Sequence, residues 1–294
     1  MKKAKWAALG VAAALALAAC SSDTPGDDGM SPEPTGGAVS EFPEGSTMAK
    51  LQEAGTITVG TKFDQPLFGL KAPSGAPEGF DVEIATMIAG KLGITPENIK
   101  WVETVSANRE PFIQDGTVDM VVATYTINDE RKKLVSFAGP YYLAGQALMT
   151  LSSNTDINGP DDLAGKNVCS VEGSTPAQNI EKNYPDAKLS LFAAYTDCLE
   201  PLRNGQVDVV TTDNVILAGY VAESDGEFKV VGEPFTEEPY GIGVKLDDTD
   251  FRMWINDVLE ESFSDGSWLA AWKATAGTVL PDPAVPTIDR YEVN

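Results

Sequence analysis

Residues 115–124, DGTVDMVVAT, and residues 204–213, NGQVDVVTTD, repeat one pattern at an offset of 89 positions. In each stretch a glycine that can end a helix precedes a Val-Asp pair, an apolar strand and a polar last residue. Open parallel sheets bind ligands beyond the carboxyl ends of their strands. If the two units face each other, Thr124 and Asp213 meet across one cleft. Any two α/β units can share this helix–glycine–strand order, but that order alone would not require a polar last residue in both strands.

The chain around this repeat alternates strands and helices. The segment FDVEIATMIAGKLGI (80–94) has helical spacing of its apolar residues, and Asp81 is predicted to cap that helix. Further strands, with helices between them, are predicted at 57–61, 101–105, 167–171 and 189–195. Such alternation predicts an α/β fold with parallel sheets flanked by helices.

The N-terminus, MKKAKWAALGVAAALALAAC, joins three lysines to an alanine-rich apolar stretch that is too short to span a bilayer comfortably. It is typical of a signal peptide over residues 1–19. The sequence LAAC resembles the lipobox of bacterial lipoproteins, so Cys20 is the predicted lipidation site, which anchors the protein to the outer face of the cell membrane. An ordinary signal with a chance cysteine is the alternative. The Ser-, Pro- and Gly-rich residues that follow predict a flexible tether, so that 20–46 are lipidated cysteine and tether.

Charge and composition exclude several classes of function. Removing residues 1–19 takes away three of the 21 basic residues and none of the 44 acidic ones, which leaves a net charge of −26. So acidic a chain argues against nucleic acid as a partner. The chain has no histidine, which removes Ser-His and Cys-His nucleophile systems and most transition-metal sites. We therefore expect no catalytic residue, no metal and no cofactor.

Two cysteines remain besides Cys20. An even pair in an exported protein predicts a disulfide between Cys169 and Cys198. Two buried free thiols are the alternative.

Two hydroxyls and a guanidinium follow the first repeat, on Thr124, Thr126 and Arg131. They offer donors for a carboxylate, although the arginine alone could be a solvated cation of the run NDERKK. The segment EGSTP (172–176) follows a strand and opens a helix, with Thr175 as the predicted N-cap. The amides of Gly173, Ser174 and Thr175 would then hold an anion from the opposite side. Asp213 supplies the charge that suits an ammonium, so these groups together predict a site for an α-amino acid.

These motifs resemble a known family, the type II periplasmic-type solute-binding proteins of polar amino acid ABC transporters (family 3). Within it the chain is most similar to the glutamate-binding lipoproteins of Gram-positive bacteria. The resemblance covers about residues 50–275 and is carried by EGFD (78–81), GTVD (116–119), TINDER (126–131), FAGPY (137–141), GST (173–175), NGQVD (204–208) and YGIG (240–243). Each motif is weak alone, and together they are specific.

The resemblance implies two α/β lobes, joined by a two-strand hinge, with a ligand cleft between them. Lobe 1 is then 47–143 plus 240–280, lobe 2 is 144–239, and 281–294 is a C-terminal extension lying on the surface. It also implies that Arg131 and Thr126 hold the α-carboxylate, with lobe-2 amides, and that Asp213 holds the α-ammonium. The implied partners are an amino acid and the permease of an ABC transporter, and the protein is expected to be a monomer.

Two cations stand where the family contacts the side chain of its ligand. Lys62 ends the first strand, where binders of basic amino acids carry an acid, and Arg109 stands where many relatives have an aliphatic residue. Both imply an anionic ligand side chain, unless they are surface cations. Phe63, Phe68 and Tyr125 are further pocket candidates, with core packing as the alternative.

The expected function is capture of glutamate, or next of aspartate, and delivery to an ABC importer. A glutamine or asparagine binder and a ligand sensor for a membrane receptor are alternatives that share the same binding chemistry. An enzyme of the dehydratase or lytic transglycosylase type on the same scaffold is a third. It would need a general acid or base with a partner in the cleft, and Glu78, Glu103 and Glu172 have no obvious partner in the sequence.

Overall fold

The computed structural model describes residues 41–73 and 75–292. The predicted signal peptide, Cys20 and most of the predicted tether lie outside these residues. Within the described part of the chain, no helix is long and apolar enough to cross a membrane.

Twelve strands form two five-stranded sheets and one small hairpin in the described residues. The strands are β1 (Ile57–Thr61), β2 (Asp64–Gln65), β3 (Gly69–Leu70), β4 (Ile99–Glu103), β5 (Met120–Val121), β6 (Ser136–Ala144), β7 (Gln146–Leu151), β8 (Asn167–Val171), β9 (Lys188–Phe192), β10 (Val209–Asp213), β11 (Phe228–Val231) and β12 (Glu238–Val244). The helices are α1 (Thr47–Ala54), α2 (Phe80–Lys91), α3 (Arg109–Gln114), α4 (Asp129–Lys132), α5 (Thr175–Asn183), α6 (Leu199–Arg203), α7 (Asn214–Glu223), α8 (Thr249–Asp265) and α9 (Ser267–Ala274).

Each five-stranded sheet is the centre of one lobe. The sheet of lobe 1 has the order β4-β1-β5-β12-β6, in which β4, β1 and β5 are parallel and β12 runs antiparallel to both neighbours. The sheet of lobe 2 has the order β11-β7-β10-β8-β9, in which β10, β8 and β9 are parallel and β7 is antiparallel to β10 and β11. Both lobes therefore have the predicted α/β architecture, with three adjacent parallel strands in each sheet.

The chain passes between the lobes through neighbouring strands. β6 and β12 pair antiparallel in the first sheet, with Ala144 opposite Glu238 and Leu143 opposite Pro239. The second sheet takes up the chain again at Gln146, the first residue of β7. Two adjacent crossings of this kind form a hinge, about which lobes can move as rigid bodies. The exact lobe bounds stay a prediction.

The repeated Val-Asp pair has the same structural role in both lobes. The Asp119 carboxylate accepts the Thr58 amide at 2.7 Å, and the Asp208 carboxylate accepts the Asn167 amide at 2.7 Å. Each aspartate thus ties the start of a central strand to the parallel strand beside it, β5 to β1 and β10 to β8. The sequence repeat marks equivalent positions in two similar units.

Strand β5 ends at Val121, earlier than the sequence predicts. Thr124 has φ of +42°, a left-handed backbone that cannot continue a ladder. Its amide donates to the Asp81 carboxylate at 2.7 Å, and that carboxylate also accepts the Tyr141 hydroxyl at 2.6 Å. The prediction that Asp81 caps α2 is therefore wrong. Gly79 is the N-cap, and Asp81 fixes the turn after β5 instead.

Both ends of the described chain pack on lobe 1. Phe42, within the predicted tether, lies edge-on against Trp254 with ring centroids 5.6 Å apart. In the C-terminal extension, the Asp289 amide donates to the Gly139 carbonyl, and the Tyr291 hydroxyl accepts the Phe137 amide at 2.8 Å. These bonds cover part of the outer edge of β6, where backbone groups would otherwise lack partners.

A disulfide in lobe 2 joins Cys169 of β8 to Cys198, which directly precedes α6. Both cysteines are fully buried. The predicted pairing is therefore present, and the free-thiol alternative is not. The bond closes a sequence separation of 29 residues, for which chain entropy alone gives roughly 3–4 kcal/mol of stabilisation.

Candidate functional site

A small cavity lies between the two lobes. Its volume is about 10 Å³, close to the room that one water molecule needs. Six of the twelve predicted ligand residues line it, and the repeat ends Thr124 and Asp213 meet there. The full lining is Ser106, Arg109, Thr124, Thr126, Ser174, Thr175, Pro176, Tyr195, Asp213 and Ile216.

Asp213 ends β10 and presents one unpaired oxygen. The residue is 3% exposed, and its Oδ2 accepts the Tyr240 hydroxyl at 2.6 Å, whereas no described residue bonds Oδ1. Burial, and next the Glu238 carboxylate, raise the pKa of Asp213 to about 7. An unpaired buried carboxylate oxygen is costly in free energy, and a cation in the cavity would offset that cost.

Two guanidinium groups of lobe 1 converge on one carbonyl of lobe 2. The Nη2 atoms of Arg109 and Arg131 lie 3.3 Å and 2.8 Å from the Gly173 oxygen. Arg109 lines the cavity, whereas Arg131 lines an open pocket beside it. Since a carboxylate is a stronger partner for a guanidinium than a carbonyl, replacing this carbonyl by a carboxylate would strengthen both contacts.

Arg109 is also held firmly within lobe 1. Its Nε donates to the Ser106 carbonyl at 3.2 Å, and its Nη1 donates to the carbonyls of Ala123 and Thr124 at 3.3 and 3.2 Å. The guanidinium carbon lies 4.3 Å from the centre of the Tyr125 ring. Because Arg109 is 3% exposed, it is not the surface cation that was the alternative, and its predicted contact with the ligand side chain stays a prediction.

Arg131 is buried beside the same ring. It donates to the Thr126 carbonyl at 2.7 Å, pairs with Glu110 at 3.1 Å, and its guanidinium carbon lies 5.0 Å from the Tyr125 ring centre. Burial, and next the charge of Arg109, lower the pKa of Arg131 to about 10. Tyr125 therefore supports both guanidinium groups from behind and does not itself line the cavity.

The helix α5 begins one residue earlier than the sequence predicts. Ser174, not Thr175, is the N-cap, because the Ser174 hydroxyl is the one that accepts the Ala177 amide, at 3.1 Å. The Thr175 hydroxyl is thereby left to donate to Glu238 at 2.6 Å. Both hydroxyl groups still line the cavity.

Gly173 brings bare backbone of lobe 2 against lobe 1. Its φ of +73° is left-handed, and a Cβ there would lie 2.7 Å from the Ala107 Cα. No other residue type combines that conformation with that approach at low cost. The loop before α5 therefore touches the turn Ser106–Asn108 directly.

Lys62 is buried one layer behind the cavity. It is 3% exposed, which rules out the surface-cation alternative, and its Nζ donates to the Ser106 hydroxyl at 2.9 Å. Burial, and next the charge of Arg109, lower the pKa of Lys62 to about 7. Ser106 lines the cavity and Lys62 does not.

The structure does not bring the two predicted phenylalanines to the cavity. Phe68 is fully buried in the core, where its ring packs edge-on against those of Phe80, Tyr142, Tyr240 and Trp272. The Phe63 ring lies under the Lys71 ammonium at 4.4 Å. Phe68 therefore packs in the core, as the alternative predicted, and does not line the cavity.

Sequence reasoning missed the lobe-2 residue Tyr195 and its partner Asp64. The Tyr195 amide and the Tyr220 hydroxyl donate to Asp64 of lobe 1 at 3.0 and 2.9 Å. These bonds are a second set of contacts that joins the lobes. Tyr195 follows β9, so the rule that ligands lie beyond the carboxyl ends of strands could have indicated it.

The chain has two α/β lobes with a hinge, and the cavity between them carries an acid from one lobe and a guanidinium from the other. These features define a solute-binding protein of the type II fold. Residues 57–273 match the bacterial extracellular solute-binding proteins, family 3. The chain belongs to this family.

Individual relatives agree. The chain is 44% identical over 226 residues to the glutamate-binding protein GluB of Corynebacterium efficiens, covering 74% of this chain and 77% of that protein. It is 37% identical over 274 residues to the ABC transporter glutamine-binding protein GlnH of Bacillus subtilis, covering 92% and 95%. An ancestral arginine-binding protein bound to glutamine superposes with a TM-score of 0.71 at 36% identity, over 75% of this chain and 97% of that one.

These similarities confirm the predicted family and fold. The chain belongs to the solute-binding proteins, and the two relatives are named for binding glutamate and glutamine and not for the enzyme activity that was the alternative.

Proposed function

We propose that the protein captures an acidic amino acid, glutamate before aspartate, and delivers it to the permease of an ABC importer. One observation carries the proposal. Across a single cavity, the unpaired Oδ1 of Asp213 in lobe 2 faces a site that also contains the Arg109 guanidinium of lobe 1. An acidic amino acid carries the complementary pair, an α-ammonium and a side-chain carboxylate.

In this proposal the ligand backbone is held by both lobes. The ammonium pairs with Asp213, and the α-carboxylate takes the place of the Gly173 carbonyl at Arg131. The Thr126 hydroxyl and the amides that open α5 add donors. Because ligand and Gly173 carbonyl would use the same guanidinium N–H groups, the lobes must separate to admit the ligand and close again with it between them.

The side-chain end of the site is assigned to Arg109, Ser106 and, behind them, Lys62. Two buried cations at one end favour an anionic side chain. Salt screens buried charges weakly, so this short-range attraction outweighs the repulsion from the acidic surface. The 44% identity to a protein named for glutamate supports the same assignment.

Glutamine is the second candidate, because a relative that aligns over 92% of this chain is named for it. Calorimetric titration of the mature protein with glutamate, aspartate, glutamine and asparagine at pH 7 separates the two. We expect glutamate to bind tightest, by about tenfold or more over glutamine, since a hydrogen bond to a charged group is worth roughly 1.5–3 kcal/mol. Tighter binding of glutamine would replace glutamate by the second candidate, and no heat with any of the four would contradict the site.

The lipid anchor is proposed from the sequence LAAC that ends at Cys20 and from the extracellular character of the family. A Cys20→Ala variant has no sulfur to acylate, so it should leave the membrane fraction of lysed cells, while Ser21→Ala should stay. Immunoblots of the two fractions measure this. Wild-type protein in the supernatant, or Cys20→Ala protein held in the membrane fraction, would contradict the anchor.

A further inference from the structure

Ser106 is a cavity residue that the sequence did not single out. It follows β4 in the turn Ser106–Asn108, is 2% exposed, and lines the cavity together with Arg109 and Thr124. Within the described chain, Lys62 is the hydrogen-bond partner of its hydroxyl, at 2.9 Å.

The chemistry of Lys62 fixes the direction of that hydrogen bond. An ammonium carries three donors and no lone pair, so the Ser106 oxygen must accept. The Ser106 hydroxyl hydrogen is therefore left to donate toward the cavity. A carboxylate presents an accepting oxygen to both the Ser106 hydroxyl and the Arg109 guanidinium, whereas a side-chain amide has one accepting oxygen and must turn its NH₂ group, which only donates, toward one of the two.

We propose that Ser106 determines specificity by donating its hydroxyl to the side-chain carboxylate of the ligand, and that Lys62 is a positioning residue that sets the direction of this donation. The inference rests on the proposed binding of an acidic amino acid and names the group that tells the acid from its amide.

The direction of the bond can reverse when Lys62 loses its proton. A neutral amine has a lone pair and can accept the Ser106 hydrogen, which turns the Ser106 lone pairs toward the cavity and removes the bias against an amide. Four charged groups face Lys62: Arg109 and Arg131 oppose its charge, while Asp64 and Asp81 favour it. With burial, their balance brings the pKa of Lys62 to about 7, so the two directions exchange near neutral pH.

A ratio of affinities removes the titrations that change both affinities alike. Glutamate and glutamine share the α-ammonium and α-carboxylate, so protonation of Asp213 changes both affinities alike and cancels in their ratio. The ratio should favour glutamate most at pH 6 and fall about tenfold toward pH 9 in the wild type. Binding of glutamate should raise the pKa of Lys62, which places the midpoint of the fall above 7.

The experiment is calorimetry with both ligands from pH 6 to 9 on the mature wild type, Ser106→Ala, Ser106→Thr and Lys62→Met. We expect Ser106→Ala to lower the glutamate-to-glutamine ratio about tenfold at pH 6 and to make the fall of that ratio with pH shallower. Ser106→Thr, which keeps a hydroxyl, should retain the profile, and Lys62→Met should flatten it. Ser262→Ala is the matched control, because that buried hydroxyl donates to the Leu259 carbonyl in α8, away from the cavity.

The outcomes separate this inference from the proposed function. If wild type prefers glutamate but Ser106→Ala keeps both the ratio and its pH profile, Ser106 does not read the side chain and the inference fails alone. If wild type prefers glutamine at every pH, the proposed ligand is wrong. Thermal melting of each variant without ligand identifies misfolding. If Ser106→Ala misfolds, the other two variants test the inference, which then requires an unchanged pH profile in Ser106→Thr and a flat one in Lys62→Met.

Discussion

Replacement of Asp213 by asparagine should weaken the binding of every amino acid ligand by about 30-fold or more. The ligand ammonium would lose its charged partner inside a closed cavity, and truncating one side of a buried charge pair costs roughly 2–5 kcal/mol. Asparagine has nearly the same shape and keeps an oxygen for the Tyr240 hydroxyl, so the pocket geometry should survive. Calorimetry with glutamate, aspartate and glutamine measures the loss, which should be similar for all three because they share the ammonium.

The same variant should be no less stable than wild type without ligand. Burial raises the pKa of Asp213 from 3.8 to about 7, so folding disfavours its charged form. This cost is absent below about pH 4, where the carboxyl is protonated both folded and unfolded, grows as the pH rises to 7, and is constant above that. Asp213→Asn should therefore have the same melting temperature as wild type at pH 4 and a higher melting temperature than wild type at pH 8.

Asp208→Asn is the matched control for Asp213→Asn, because Asp208 directly precedes the same strand. Its carboxylate accepts the backbone and side-chain N–H groups of Asn167 at 2.7 and 3.0 Å. We expect the opposite result, namely lower stability with little change in affinity. If Asp213→Asn instead lost stability and kept its affinity, Asp213 would be a structural residue like Asp208, and the ammonium site would have to lie elsewhere.

The sequence predicted those parts of the site that follow from local pattern. The two repeats predicted that Thr124 and Asp213 take equivalent positions where two strands finish, and a general rule of parallel sheets brings such positions to one cleft, although β5 itself already ends at Val121. The Gly173–Thr175 loop was predictable in the same way, since a strand, a glycine and a capping hydroxyl are adjacent in sequence. Its cap was misplaced by one residue because Ser174 and Thr175 both carry a suitable hydroxyl.

The sequence could not predict partners that are distant along the chain. Asp81 looks like a helix cap from its neighbours alone, yet its carboxylate bonds the Thr124 amide, 43 residues away. The Ser106 hydroxyl gains its role from Lys62, 44 residues earlier. Phe68 could face either core or cavity on periodicity alone, and the rings that surround it come from helices and strands spread over the whole of lobe 1. Such choices depend on tertiary packing, which local rules do not contain.

Arg109 shows the same limit most clearly. The sequence predicted a cation near the ligand, but it did not predict that this side chain also stabilises the fold. Three of its hydrogen bonds go to carbonyl groups of lobe 1 and one goes to Gly173 across the cleft. These bonds hold the Ser106–Asn108 turn to the segment after β5. The guanidinium therefore shapes the walls of the cavity as well as lining it.

Arg109→Leu should consequently lower the free energy of unfolding by about 3–5 kcal/mol. Each buried carbonyl left without a donor costs roughly 1–3 kcal/mol, and water can rescue only part of this in so small a cavity. Urea unfolding followed by tryptophan fluorescence measures the change. Arg109→Lys is the control, since it keeps the charge but lacks the planar fork that reaches several carbonyls at once, and its stability should be intermediate.

Binding by the two Arg109 variants then separates structure from recognition. If the charge reads the ligand side chain, Arg109→Lys should retain part of the preference for glutamate over glutamine, while Arg109→Leu, measured well below its melting temperature, should lose most of it. A leucine variant as stable as wild type would mean that the carbonyl contacts contribute little to folding. A leucine variant that is destabilised but keeps the glutamate preference would mean that Arg109 only builds the walls, and the side-chain carboxylate would then be read by Ser106, with Lys62 behind it.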